Sequence, residues 1–416
     1  MRATTAFNRM LNIPGATVTG VTFTPEGIVI DLRRRFHKLT CPYCGWSTRA
    51  TYDRSTRRWR HVDAGSAKIW LRTEIRRLTC GPCGGVVTEQ VPWARHDARH
   101  SRDLQDVTAW LAQRMDKESV RKLLRISWEA VRNAVTMVVA EQLDDTRLDG
   151  LFRIGVDEIS YRKGHRYLTV VADHDHDGAV VWVGEGRDGK SGKDAATLAR
   201  FYEQLGVERC AQLQAVSLDL GGAYAKATRE HASQARQCAD PFHVVALVNK
   251  AIDETRRWVW NLHRQLGTSK ATWVKRTRWA LVKDPADWKD SQRDVIAQLK
   301  RDRSVLYRAW LLKEALRDLY RLDDATHAPA LLDRWLAWAC RSRIPAFVKL
   351  SRTIRAERQR ILAAVELGLS NSKLEGLNSK VRLINHRGYG HHTPAALIAM
   401  IYLCCGGITV ELPTAT

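Results

Sequence analysis

Two short cysteine knuckles, CPYCG at 41–45 and CGPCG at 80–84, constrain what this chain can fold into more tightly than anything else in it. Each is a CxxC pair followed by glycine. The glycine lets the loop turn back and aim backbone N–H groups at thiolate sulfur while four sulfurs close a tetrahedron around a metal. Cys41, Cys44, Cys80 and Cys83 are therefore expected to hold one structural zinc ion, with no position left open for chemistry. Free structural thiols are the plainer alternative. The 35 residues between the knuckles exceed the usual spacing. Within them, Ile69, Leu71, Thr73 and Ile75 alternate like a strand leading into the second knuckle, so a hairpin inserted in a zinc ribbon accounts for the gap.

Charge points to the partner. The 416 residues carry a formal charge of +22, and such an excess of Lys and Arg implies a polyanion, with nucleic acid the leading candidate. Residues 1–100 hold 17 Lys or Arg against 7 Asp or Glu, which is +10 of the +22. That quarter, with Arg57, Arg58 and Arg60, is expected to lie on the phosphate backbone. No apolar run reaches the roughly 18 residues that a membrane span needs. The longest, AALIAMIYLCC at 395–405, suits a buried helix. Nothing resembling a signal peptide opens the chain, so a cytoplasmic protein is expected, with its nine cysteines serving as thiols or ligands rather than disulfides.

The stretches 101–115 and 117–143 have helical periodicity, broken at Arg125–Ser127. Ser127 can cap a helix with Val131, Ala134, Val135 and Val138 on one side and Arg132 and Asn133 on the other. This predicts a helix-turn-helix with 127–140 as the recognition helix, and Arg132 and Asn133 as its DNA contacts. The pattern then turns to strand at 151–160, 165–173 and 178–186. A helix at 192–206, a strand at 211–222, a helix near 223–234 and a short apolar segment at 238–245 follow, giving the order βββαβαβ. From 246 to 368 the chain reads as helix throughout, with eight of its fifteen Trp between Trp258 and Trp338, expected to be core. The run 341–360 carries seven Arg or Lys against one Glu, a solvated face or a phosphate-tracking surface. Helices 371–386 and 393–405 close the chain.

Three carboxylates are candidates to carry the chemistry, although Glu375, read from its helix alone, could simply be a solubilising residue. Asp157 lies in the apolar strand IGVDEI, where an unpartnered charge is costly. Asp219 ends another strand beside a Gly pair that permits close approach. Glu375 sits on an amphipathic helix whose Leu374, Leu377, Val381 and Ile384 form an apolar stripe, while Asn371, Glu375, Asn378 and Arg382 share another face. Asn378 and Arg382 are suited to phosphate. If the strands are neighbours and the helix packs over them, the acids converge as hard oxygen ligands for Mg²⁺ or Mn²⁺. Two such ions can serve an in-line phosphoryl displacement. Glu158 follows Asp157 directly, but adjacent strand side chains face opposite ways, so Asp157 is preferred and Glu158 expected to be dispensable.

The blocks GVDEIS…YLTVVAD, AVSLDLGGAYAKA, ADPFHVV and NSKLEGLNSKVRLINHRGYG, in this order, resemble the DDE transposases of bacterial insertion sequences, specifically the zinc-finger-bearing ISL-three family. The resemblance runs from about Cys41 to Gly407. It implies a multidomain α+β chain: a zinc ribbon (1–100), a helix-turn-helix (101–148), an RNase H-like mixed α/β core (149–245), an all-helical insertion (246–368), and the core's C-terminal helices (369–416). Asp157, Asp219 and Glu375 would be the catalytic triad, holding two Mg²⁺ or Mn²⁺ ions. Asp240 and His243, in DPFH, are similar to an acid-x-x-His element that orders the site or the scissile phosphate, and His386 and Arg387 would contact phosphate. After HRGYG, the His391–His392 pair departs from the family pattern. The implied activity is binding the element's terminal inverted repeats in double-stranded DNA, cleaving the ends and joining the 3′-OH to target DNA. Two ends cut together imply a homodimer or higher oligomer, nucleoid-associated in a bacterial cytoplasm. The alternatives are an RNase H-like nuclease or resolvase that never joins, and a non-catalytic zinc-finger, helix-turn-helix repressor.

Overall fold

A computed structural model describes residues 2–162, 164, 166–187, 191–391 and 393–413; His392 lies outside them. The chain forms two compact units, one of residues 1–145 and 382–416, the other of residues 146–381.

The first unit begins with α1 (Ala3–Leu11), β1 (Ala16–Thr24), β2 (Gly27–Arg34) and the short pair β3 (Leu39–Thr40) and β4 (Ser47–Thr48). The long strands β5 (Asp53–Ala64) and β6 (Ala67–Cys80) then form a hairpin, and β7 (Gly85–Thr88) turns back on the end of β6. The sheet order is β1-β2-β6-β5, with β7 also on β6 and the β2–β6 pair parallel. The alternation in β6 is real: Ile69, Leu71, Thr73 and Ile75 are all buried, and pack with Ile30, Trp59 and Trp93 in one core.

The interruption at Arg125–Ser127 divides helices α3 (Lys117–Leu124) and α4 (Trp128–Gln142), with α2 (Arg102–Ala112) ahead of them. Each starts on a side-chain cap that satisfies an orphan backbone donor. Ser101 accepts from Leu104 N at 3.3 Å, Asp116 from Ser119 N at 2.9 Å and Ser127 from Ala130 N at 3.1 Å. Arg125, at φ +53°, ends α3 in the left-handed region. Helix α4 buries Val131, Ala134, Val135 and Val138, the face read from the sequence.

The second unit holds a mixed five-stranded sheet. Strands β8 (Arg153–Arg162), β9 (Arg166–Asp173) and β10 (Val180–Glu185) form an antiparallel meander. Helices α5 (Ala195–Leu205) and α6 (Val207–Gln212) lead to β11 (Ala215–Leu218), and α7 (Gly222–His231) leads to β12 (Arg236–Ala239). The order is β10-β9-β8-β11-β12, with β8, β11 and β12 parallel. The strands thus follow the βββαβαβ pattern expected.

Eight helices come next: α8 (Pro241–Gln265), α9 (Lys270–Arg276), α10 (Arg278–Val282), α11 (Asp290–Arg301), α12 (Val305–Arg317), α13 (Ala328–Arg341), α14 (Pro345–Ala356) and α15 (Arg358–Leu367). Their core includes Val248, Ile252, Leu312, Trp335 and Phe347. Of the eight Trp in this region, five are buried in that core or packed against it, while Trp258, Trp279 and Trp338 are exposed. The division between units falls inside α16 (Ser372–Arg387), whose stripe of Leu374, Leu377, Val381 and Ile384 is buried as expected. The apolar run at 395–405 is α17 (Pro394–Cys405), packed on α4. Among the described residues no helix is long and apolar enough to cross a membrane.

One buried titratable group joins the sheet of the first unit to its helices. His61, 4% exposed, shares a 2.8 Å hydrogen bond with the Ser101 hydroxyl that caps α2. Burial, reinforced by the charge of Arg60, pushes its imidazole down from 6.5 to about 4. The neutral form is thus favoured in the fold, and the unfolded chain takes up the proton as pH falls through 6.5. His61 should remove about 2 kcal/mol of stability between pH 7 and pH 5. Urea unfolding at both pH values should show this slope in the native chain and its loss in His61→Gln; equal slopes would discount the group.

Candidate active site

The cysteines meet as their spacing requires. The β3–β4 pair carries the first knuckle and the β6–β7 turn the second, with Cys80 ending β6. Cys44 and Cys80 Sγ lie 3.4 Å apart and Cys41 and Cys83 Sγ 3.9 Å, with all four sulfurs within 4.8 Å of one another. A tetrahedron with Zn–S bonds near 2.3 Å needs sulfurs about 3.8 Å apart. The cluster therefore fits a structural zinc ion, with every corner taken by protein.

The expected DNA contacts divide. Asn133, Arg58 and Arg382 are exposed; Arg58 also pairs with Glu26 at 3.1 Å and lies over the Trp70 ring. Arg57 is half-buried and donates to Ala98 O at 3.0 Å, and Arg132 pairs with Glu129 at 2.9 Å. Arg60 is a correction. It is 3% exposed and bonded to Asp63 and to the carbonyls of His61 and Ile69, so reaching a phosphate would mean breaking bonds already made inside the unit. In the basic run, Arg341, Arg343, Lys349, Arg352 and Arg355 are exposed. Arg358 is held by Asp333, and Arg360 by Glu357 and the Asp219 carbonyl. His386 is exposed at the end of α16, and Arg387 lines a small cavity of the first unit with Met115, Val131 and Met400.

Asp157 lies within β8, and Asp219 and Asp240 directly follow β11 and β12, its parallel neighbours in the second sheet. Ser217 pairs with Gly155 in the parallel β8–β11 ladder, and that register, two residues further on, sets positions 157 and 219 level. Asp157 accepts from Asn378 Nδ2 of α16 at 2.7 Å and from the Glu158 N–H at 2.8 Å. Asp219 is 7% exposed and accepts from Gly221 N at 2.8 Å. A Cβ on Gly221 would lie 2.8 Å from that same oxygen, so a glycine there leaves room for the Asp219 carboxylate to fold back on its own loop. Asp240 caps α8, accepts from Asn371 N at 3.1 Å and has His243 Nε2 3.8 Å away. Glu375 is exposed on the first turn of α16, its N–H bonded to Asn371 O at 2.8 Å.

Asn371 seats that helix. Besides Asp240, its Nδ2 donates to Val156 O at 3.3 Å, and its Oδ1 accepts from Ser217 Oγ. Ser217, with its one proton committed, accepts from His174 Nε2 at 2.6 Å, which fixes the tautomer of that ring. Gly155 supplies the room: a Cβ there would lie 2.7 Å from Leu374 Cδ1 and 3.0 Å from Asn371 Oδ1.

The electrostatics are those of crowded negative charge. Burial raises the Asp157 carboxyl, the Glu158 N–H, Asn378 and His243 oppose the rise, and the charge of Asp240 adds to it. Burial likewise raises Glu158 and Asp240, with Asp219 acting on the first and Glu375 on the second. Two oxygens nearby, Asn378 Oδ1 and Glu158 Oε2, are buried without a hydrogen-bond partner. This oxygen-only donor set, with excess negative charge, fits a hard divalent cation. Among the described residues the cysteines are the group whose ligand atoms all lie within 4.8 Å, so Asp157, Asp219 and Glu375 do not close around a single point here.

Sequence reasoning passed over Lys193 and set Glu158 aside in favour of Asp157. The pleat was expected to turn Glu158 away; instead Glu158 is half-buried and bonded to Lys193, which also reaches Asp219 Oδ2 at 3.0 Å. A long side chain crosses the distance that strand alternation leaves. For Lys193 the GKD sequence gave no signal beyond a helix start.

Gly155→Ala should cost about 1–3 kcal/mol in urea unfolding through overpacking under α16, and an unchanged midpoint would disprove the tight seat. Denaturation should release one zinc ion per chain to a colorimetric chelator, and Cys44→Ser much less; zinc-free native protein would rule the site out.

Residues 154–401 match the ISL3 DDE transposase family, described as "Transposase". Residues 89–139 match the helix-turn-helix domain of transposase family ISL3, and residues 38–83 the zinc-finger of transposase IS204/IS1001/IS1096/IS1165. The transposase for insertion sequence element IS1557 of Mycobacterium tuberculosis is 39% identical over 398 residues, covering 90% of this chain and 87% of its own. The transposase for insertion sequence element IS1001 of Bordetella parapertussis is 26% identical over 354 residues, covering 85% of each. The cysteine cluster, the capped helix-turn-helix and the five-stranded mixed sheet thus fall within one matched order, and the chain belongs to the ISL3 family of insertion-sequence transposases.

Proposed function

We propose that this transposase binds the terminal inverted repeats of its element, cleaves the ends and joins the freed 3′-OH to target DNA by in-line phosphoryl transfer. Asp157, Asp219 and Glu375 are its acidic triad. The observation that carries the reading is the seating of α16: through Asn371 and Asn378 the helix that bears Glu375 is bonded to β8, which bears Asp157, to β11, which leads into Asp219, and to the start of α8. The strand order and its mix of parallel and antiparallel pairs support an RNase H-like core. Helices α8–α15, between Asp219 and Glu375, then correspond to a helical insertion.

Two Mg²⁺ or Mn²⁺ ions, when bound, would supply charge stabilisation to the attacking and leaving oxygens. The protein's own work is placement. Asp157, oriented by Asn378 and the Glu158 N–H, and Asp219, oriented by Gly221 N–H, offer their remaining lone pairs to the site. Glu375 completes it from the solvent side. Asp240 holds the start of α16 and keeps His243 beside Asp157. The exposed Asn133 of α4, with Arg58 and Arg382, meets the duplex, and His386 and Arg387 add phosphate contacts. Two ends cut together call for a dimer or larger assembly.

The test uses labelled element ends in Mg²⁺, with cut positions mapped on both strands and pre-cut ends offered for joining. Asp157→Ala, Asp219→Ala and Glu375→Ala should each lower cleavage and joining by roughly 10²-fold or more while shifting DNA in a gel as the native chain does. Full activity in any of the three removes that residue from the triad. Cleavage without a joined product would make the protein a nuclease; binding with no cleavage even in Mn²⁺ would make it a repressor.

A further inference from the structure

Lys193 places a cation where the proposed site would place a metal. Its ammonium bonds Glu158 Oε1 and Asp219 Oδ2, the latter at 3.0 Å. Burial opposes the charge, but the Glu158 bond and the Asp219 charge outweigh it, and the Lys193 pKa is raised. The backbone beneath is fixed rather than loose. Gly192 O accepts from Thr169 Oγ1 of β9 at 2.6 Å, and Asp194 caps α5 by accepting from Thr197 N at 2.9 Å. Lys193 is therefore held between a strand and a helix start, with its stem directed along the acids.

Asp219 has both oxygens engaged, Oδ1 by Gly221 N–H and Oδ2 by Lys193. A divalent cation that takes Oδ2 must displace the ammonium and also bear its repulsion. Glu158 lowers that barrier, because an ammonium that leaves Asp219 still keeps one carboxylate.

We propose that Lys193 is a built-in competitor for the divalent cation at Asp219, and that Glu158 is the counter-ion on which it is parked when the cation binds. This rests on the reading of Asp219 as a metal ligand. Glu158 then acts through Lys193, as a positioning residue, and is not dispensable. Lys193 weakens loading of the site, and Glu158 restores part of it.

The test is Mn²⁺ binding to the full zinc-loaded chain without DNA, followed by the loss of the free-ion electron paramagnetic resonance signal. Lys193→Met keeps the stem and removes the charge; it should bind Mn²⁺ several-fold more tightly than the native chain. Glu158→Gln should bind several-fold more weakly, because the ammonium then rests on Asp219 alone. The double variant should match Lys193→Met, since without the ammonium Glu158 has nothing to hold. Unchanged or weaker binding in Lys193→Met overturns the competition, and a double variant that keeps the Glu158→Gln defect overturns the parking role. If the native chain binds no Mn²⁺, or Asp219→Asn binds it equally well, the metal-site reading itself fails. Thermal unfolding of each variant identifies any that has lost its fold, and Lys193→Gln serves as the second neutral replacement.

Discussion

Four segments of the second unit converge on the amide and backbone of Asn371. Its N–H reaches the carboxylate that starts α8, its Nδ2 the backbone of β8, its Oδ1 the hydroxyl of β11, and its carbonyl the N–H of Glu375. Each partner satisfies a group that would otherwise be buried and unpaired, a cost of about 1–3 kcal/mol apiece. A residue offering both a donor pair and an acceptor at this spot is what lets a helix end meet a sheet without leaving its first backbone groups orphaned. The apolar stripe below, from Leu374 to Ile384, supplies adhesion but no register; the amide supplies the register.

Much of this was legible from residue spacing. The cysteine knuckles, the breaks at Arg125–Ser127, the strand alternation in β6 and the α16 stripe all follow from local rules of period and capping, so local sequence reveals them. The strand and helix order of the second unit also followed from pattern, though not which strands pair or in which direction. What escaped has a common cause. Arg60 looked like a surface cation, because composition cannot tell an exposed arginine from one that finds Asp63 and two carbonyls inside. Glu158 looked outward, because the pleat rule fixes a Cβ direction and not the reach of a lysine coming from another element. Asn371 looked like one polar residue among several on a face, because its burial depends on Gly155 lying opposite, more than two hundred residues earlier in the chain.

The charge excess reads differently once the pairs are known. Arg72, Arg76, Arg77 and Arg95 are each bonded to a carboxylate of the first unit, and Glu89 sits fully buried between Arg34 and Arg76. Such pairs tie strands and helices of that unit together, whereas a DNA surface must come from the exposed remainder. A basic composition therefore points to a polyanionic partner without saying which of its cations are free to meet it.

The seat of α16 has one further consequence. Asn371 is followed by Ser372, a small neighbour that in a loose chain favours spontaneous loss of the amide nitrogen through attack by the next backbone nitrogen. The bonds that seat the helix also hold that backbone in a shape that hinders the attack. Were the amide converted to a carboxylate, the donor to β8 would vanish and a new negative charge would face the Val156 carbonyl. The chemical lifetime of this side chain and the seating of α16 are thus one quantity, and protein stored partly unfolded would age at this position.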